Sequence, residues 1–208
     1  MLDQRNAGGA SLVELLISMA LGFASLTAMS SLVGHGMALN NSLMEKSRLD
    51  EELHAVMAII EQDISRLGFV AAAEEMVTTP EVFVHPFSDS LRLSEYGLED
   101  KNSCITFAYD RDKDGALEKT GVNEKFGFRL RDKAVELRVD GHQCADGYWQ
   151  DLTDTKVVQI TQLLFRIEKL QHLQVAQVRI EMVLQAKLVK FPEHSRHIST
   201  QFVVNNYD

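Results

Sequence analysis

Cysteine is nearly absent from the 208 residues: Cys104 and Cys144 are the only two. Neither belongs to a CxxC or to a Cys/His cluster of zinc spacing, which excludes a zinc ribbon and a thiol redox motif. A bridge between them is the natural state only if that part of the chain lies outside the cytoplasm. Proline is scarce as well, at three residues. With no low-complexity tract beside it, long disordered linkers are excluded. No repeat of solenoid type is present. A basic surplus is missing: 21 Lys and Arg face 30 Asp and Glu, a net charge of -9. That disfavours a phosphate-binding surface, and no nucleic-acid partner is indicated. There is no GxSxG, no P-loop, no HExxH and no nucleophile–base pairing, so the chain is expected not to be an enzyme. The seven histidines form no ligand set; His194 and His197 are three apart but follow Pro192 in a loop entering a strand.

Charge is almost missing from one long run. Residues 10–39, ASLVELLISMALGFASLTAMSSLVGHGMAL, carry Glu14 as their single formal charge. About 20 apolar residues cross a bilayer as a helix, and lipid tolerates the glycines at 22, 34 and 36. A secretory signal peptide needs a basic start and an uninterrupted apolar core; here Arg5 is offset by Asp3, and Glu14 interrupts the core. A plain anchor accounts for the length but leaves Glu14 unexplained, at about 2.5–3.5 kcal/mol near the bilayer centre. A third reading makes Glu14 functional and asks for its partner. A cut after Gly9 gives Ala10 a new α-amine, one helical turn from Glu14. The amine of a neighbouring copy then neutralises the carboxylate when helices pack side by side.

A short polar leader, Gly9, small and apolar residues, then Glu14 followed by LLISMALG: this resembles the class III signal of type IV pilins and pseudopilins. The resemblance implies that a prepilin peptidase cuts between Gly9 and Ala10 and methylates Ala10. It also implies that Glu14 supports assembly. Ala10 stands where that family most often has Phe, and the leader MLDQRNAGG is less basic than usual.

From Asn40 the chain turns amphipathic. Leu49, Leu53, Val56, Ile60, Ile64 and Leu67 recur at steps of three and four, which is one helix face. Gly68 then makes a C-cap. One helix is expected from about Ser11 to Leu67, bent or loosened near the glycines; the alternative is two helices with a break around Gly34–Gly36. After Gly68 the period changes to two. SCITFAYD (103–110) is rich in β-branched and aromatic residues. KFGFRLR and AVELRVD bracket a hairpin turn at Asp132–Lys133. KVVQITQLLFRIEKL and QVAQVRIEMVLQAKLVK form a second hairpin around Gln171–His172, and RHISTQFVVNN adds a strand. A helix with one apolar face and a one-sided sheet need each other, which is the α+β solution.

That layout is similar to the pilin fold: α+β, a long N-terminal helix whose first half spans the membrane, packed on an antiparallel sheet. CITFAYDRDKDG (104–115), FGFRLRDKAVELR (126–138), Cys144 and Trp149 resemble the PilW-type minor pilins. The implied divisions are a leader at 1–9, a transmembrane assembly half at 10–39, an amphipathic half at 40–68 and a periplasmic β-rich head at 69–208. The implied location is the bacterial inner membrane, single-pass, and then the pilus, at its tip. Other minor pilins, the major pilin, the prepilin peptidase and the inner-membrane assembly platform are the implied partners. In that compartment Cys104 and Cys144 are expected to be oxidised, with Tyr148 and Trp149 packed near the bridge. Two other functions are the alternatives: a minor pseudopilin of type II secretion, which the sequence separates poorly from a minor pilin, and a membrane-anchored periplasmic binding module that never polymerises. The last has no use for Gly9 and Glu14.

No cofactor is expected, with one candidate exception. Asp110, Asp112 and Asp114 alternate before Gly115, as in the opening of a calcium-binding EF-hand loop. The closing Glu belongs at Gly121, so the full motif fails, although Glu118 and Glu124 lie close by in the sequence. The competing reading is a solvated Asp–Gly turn.

Overall fold

The computed structural model describes residues 11–71, 78, 84–117, 121–172 and 175–204. The chain divides into two compact units after Lys46. The helix α1 (Leu12–Ile64) starts in the first unit and passes Gly22, Gly34 and Gly36 without interruption. The single helix is as expected, and the alternative of a break around Gly34–Gly36 does not occur. Each glycine costs a helix only about 1 kcal/mol relative to alanine, and the Leu, Ala and Met residues around them are strong helix formers. Several polar side chains of this stretch bond to their own helix. The hydroxyls of Ser18, Ser25 and Thr27 donate to the carbonyls of Glu14, Gly22 and Ala24. Its large apolar side chains, Leu16, Phe23, Met29 and Leu32 among them, stand exposed. By length and composition α1 can cross a membrane.

The second unit starts at Ser47. The last turns of α1 bury Leu49, Leu53, Val56, Ile60 and Ile64, as their spacing predicts. Burying each such side chain fully is worth about 1.5–3 kcal/mol. The α-helix ends at Ile64 rather than Leu67; tighter turns follow, and Leu67 is still buried. Gly68 takes the left-handed φ of 71° that a C-cap uses, and its N–H donates to the Ala108 carbonyl at 3.1 Å.

Where one antiparallel sheet was expected, there are two. The first runs β1 (Arg92–Ser94), β2 (Cys104–Ala108), β3 (Lys125–Arg131), β4 (Ala134–Leu137), β5 (Gln150–Asp151), each strand antiparallel to its neighbour. The second is β6 (Val158–His172), β7 (Val175–Leu188), β8 (Ser195–Val204), also antiparallel. Hydrogen bonds from Ile160 N–H to the Lys133 carbonyl and from Phe165 N–H to the Asn102 carbonyl tie β6 to turns of the first sheet. Leu53, Ile60, Phe107, Phe128, Phe165, Ile180 and Leu184 share a single core with both sheets.

The β3–β4 turn falls at Asp132–Lys133 with φ of 49° and 68°, the two left-handed residues of a type I′ hairpin. The β6–β7 reversal is displaced from the expected Gln171–His172. Pairing continues to His172 opposite Val175, and residues 173–174 between them lie outside those described. Along β7 the alternation is as expected: Val178, Ile180, Met182, Leu184, Ala186 and Leu188 are buried.

Gly127, in the middle of β3, answers to a close approach. A Cβ there would lie 2.5 Å from the Ile105 carbonyl oxygen and 3.2 Å from the Thr106 Cα, both backbone atoms of β2. Gly127→Ala is therefore expected to destabilise the protein by about 1–3 kcal/mol, the usual cost of overpacking. Thermal unfolding of variant and wild type reads this directly. An unchanged Tm means that β2 and β3 separate without loss.

Candidate functional site

Three places in the chain carry chemistry. Gly9 and Ala10, the expected cleavage and methylation positions, lie outside the described residues. Just after them, the Ser11 N–H donates to the Glu14 carboxylate at 3.0 Å, and the Val13 N–H reaches Ser11 Oγ at 3.4 Å. This is a capping box: the first helical N–H groups have no partner within the helix, and Ser-x-x-Glu satisfies two donors reciprocally. A carboxylate there also faces the positive end of the helix dipole.

The second place is the disulfide. Cys104 and Cys144 are bonded, with Cα atoms 6.1 Å apart, and both are buried with Trp149. Tyr148 departs from expectation. It points outward at 83% exposure with a φ of 61°, its ring against His142. Cys104 pairs across the sheet with Arg129, and the Arg129 side chain organises everything around the bridge. It is fully buried. Its Nε donates to Glu136 Oε2 at 2.5 Å, and its Nη1 donates to the carbonyls of Cys144 and Asp146, each at 2.6 Å. Tyr96 and Trp149 take the guanidinium between them, at 4.6 and 4.4 Å from their ring centroids. A buried guanidinium is tolerated only with such pairing. Arg129 has no signature in the sequence, where an arginine in KFGFRLR reads as the solvated half of a strand.

The third place is the acidic turn. Asp110 is buried, and its oxygens accept the N–H groups of Ala71 (2.8 Å), Lys113 (2.6 Å) and Gly115 (3.0 Å). Asp112 accepts from Asp114 N–H, and Asp114 from Ala116 N–H. Buried Glu124 accepts the Arg111 N–H at 2.9 Å. One oxygen from each of Asp110, Asp112, Asp114 and Glu124 lies within 4.8 Å of the others. Gly121 turns with a φ of 125°, and Glu118 lies outside the described residues.

Residues 42–204 match the family of prepilin peptidase-dependent protein B. The chain belongs to this family. Its members are, as the name says, dependent on prepilin peptidase, which makes this a pilus- or secretion-related protein. An uncharacterized protein of Haemophilus influenzae is 23% identical, over 57% of this chain and 65% of its own length. The chain thus spans just under two thirds of that relative. No solved structure matches. The family match takes in the last turns of α1, both sheets, the disulfide and the acidic turn, and it begins after the apolar run.

Proposed function

We propose that this chain is a PilW-like minor pilin that takes part in priming and assembly of a type IV pilus. Prepilin peptidase cuts it between Gly9 and Ala10 and methylates Ala10. It waits in the inner membrane with its head in the periplasm, then enters the pilus at the tip. Its partners are other minor pilins, the major pilin and the assembly platform. The observation that carries this reading is the start of α1. A carboxylate at the first turn of an exposed apolar helix is costly for an anchor and useful for a subunit that must take one register against its neighbours. Mass spectrometry of the protein extracted from membranes tests it. The expected N-terminus is methylated Ala10; an intact Met1, or a cut after residue 20, overturns it.

A second proposal concerns calcium, favoured by Glu124 joining the three aspartates. Four carboxylates so close repel one another, and a divalent ion offsets that repulsion. Millimolar calcium is then expected to raise the Tm by mass action, and Asp112→Ala to abolish the rise. An unchanged Tm leaves an Asp–Gly turn closed by backbone N–H groups.

A further inference from the structure

The two sheets leave unequal edges. In the first, the outer strands β1 and β5 are 3 and 2 residues long. In the second, β6 is tied to turns of the first sheet at Ile160 and Phe165, and it carries Arg166, Glu168 and Lys169 beyond them. Short strands and charged residues are how proteins keep an edge from pairing further. The remaining edge, β8, has neither device along most of its length. It is 10 residues long, and from His197 to Val204 it holds no Asp, Glu, Lys, Arg, Pro or Gly.

The register of β8 shows which of its backbone groups are unused. The Leu188 N–H donates to the His194 carbonyl at 3.1 Å, and from Lys187 opposite Ser195 onward β7 and β8 pair without a shift. Antiparallel partners alternate between pairs that exchange hydrogen bonds and pairs that do not. The residues bonded to β7 are therefore the even-numbered ones, from Arg196 to Val204. The N–H and C=O groups of Ser195, His197, Ser199, Gln201 and Val203 point away from it. Among the described residues no strand lies on that side, and all five residues are exposed. On the face that meets the core, Phe202 and Val204 are buried, whereas Ile198 and Thr200 are only half-buried. Arg196, before this stretch, is held by Asp50 of α1 at 2.6 and 3.0 Å.

We infer that the β8 edge takes up an extended segment of a neighbouring subunit as a further strand of this sheet, uncharged and with an apolar residue at every second position. The outward N–H and C=O groups of the odd-numbered residues bond to its backbone. Its apolar side chains cover Ile198 and Thr200 and continue the core face. A charged residue in that segment would be desolvated against a stretch of β8 that offers no opposite charge. A second copy of β8 has the right composition but the wrong direction. Two like edges paired antiparallel are related by a two-fold axis perpendicular to the sheet, which turns the buried helical face Leu49–Ile64 end for end. Copies anchored in one membrane by the same N-terminal run enter it from one side. The inference deepens the assembly reading, which supplies the neighbouring subunit. Binding in purified protein needs neither cleavage nor a pilus, so either idea can fail alone.

The test uses full-length protein in detergent, with amide hydrogen exchange read residue by residue by NMR. The probe is the peptide acetyl-Thr-Val-Thr-Val-Thr-Val-Gly-Lys-Lys-amide, whose terminal lysines keep it soluble. The amides of His197, Ser199 and Gln201 are expected to exchange fast in the free protein, and at least about tenfold more slowly with roughly 1 mM probe. Those of Ile198, Thr200 and Phe202, bonded to β7, are expected to exchange slowly throughout. A strand presents alternate amides to each neighbour. N-methylating one alternate set of the probe, its threonines or its valines, is therefore expected to abolish the effect, and N-methylating the other to spare it. Ser199→Pro removes an outward N–H and leaves the bonds to β7 in place. It is expected to keep the wild-type Tm and to bind the probe at least about tenfold more weakly. The methylated pair of peptides decides even where that variant does not fold. Four results overturn the inference: unchanged exchange with probe, equal effects of the two methylated peptides, a folded Ser199→Pro that binds as tightly as wild type, or slow exchange of the three outward amides before any probe is added, as a second copy on the edge would produce.

Discussion

Arg129→Met is expected to remove about 3–5 kcal/mol of stability, the usual penalty for breaking a buried ion pair from one side. The substitution keeps an unbranched chain of similar length and leaves buried Glu136 with Arg131 alone, 3.8 Å away and partly exposed. It strips the carbonyls of Cys144 and Asp146 of their donor and empties the space between Tyr96 and Trp149. Urea unfolding followed by the fluorescence of Trp149, the single tryptophan, measures the loss. Removing the disulfide by Cys104→Ala/Cys144→Ala should cost about 4 kcal/mol for a loop of this length, the separation being 40 residues. The two effects should not add. Arg129 holds the backbone of Cys144 itself, so each change loosens what the other would have lost. Adding Glu136→Leu to Arg129→Met should recover part of the stability, because the buried carboxylate that lost its close partner goes with it. A loss below about 1 kcal/mol for Arg129→Met would mean that water reaches these groups once the guanidinium is gone.

What the sequence revealed, and what it hid, follows from the range of each interaction. The face Leu49–Leu53–Val56–Ile60–Ile64 was legible because helical spacing is local, and the Asp132–Lys133 hairpin because two left-handed residues between alternating strands announce themselves. The number of sheets was not legible. Alternation says which residues of a strand share a face, not which strand lies beside it, so β6–β8 separated from β1–β5 without any mark in the sequence. The 171–172 turn was displaced because strand pairing overrode local turn preference up to His172. Arg129 was hidden because its meaning lies in side chains brought from distant parts of the chain, Tyr96 and Trp149. The acidic turn was half legible. Its three aspartates are consecutive in pattern, whereas Glu124 joins them only through the fold.

Glu14 offers a prediction in which local and intermolecular roles separate. Within one chain its carboxylate accepts the Ser11 N–H and completes a capping box. Between chains, the proposed partner is the α-amine of Ala10 from an adjacent subunit, which exists only after the cut at Gly9. Glutamine tells the two roles apart, since it serves in a capping box as glutamate does but carries no charge. Glu14→Gln and Glu14→Ala are both expected to insert at normal levels and to be cut. Both are expected to lose partner pilins in co-purification from membranes by at least about tenfold, because an amine left alone in an apolar contact is costly. If capping were the whole role, Glu14→Gln would recover partners like wild type while Glu14→Ala failed. If both variants recover them equally well, Glu14 contributes nothing to assembly and the head from Ser47 onward joins its neighbours unaided. A pair of this kind adds little net stability. Its effect is on register: among the axial staggers open to two apolar helices, only one places carboxylate and amine together, and every other leaves two charges stranded in lipid.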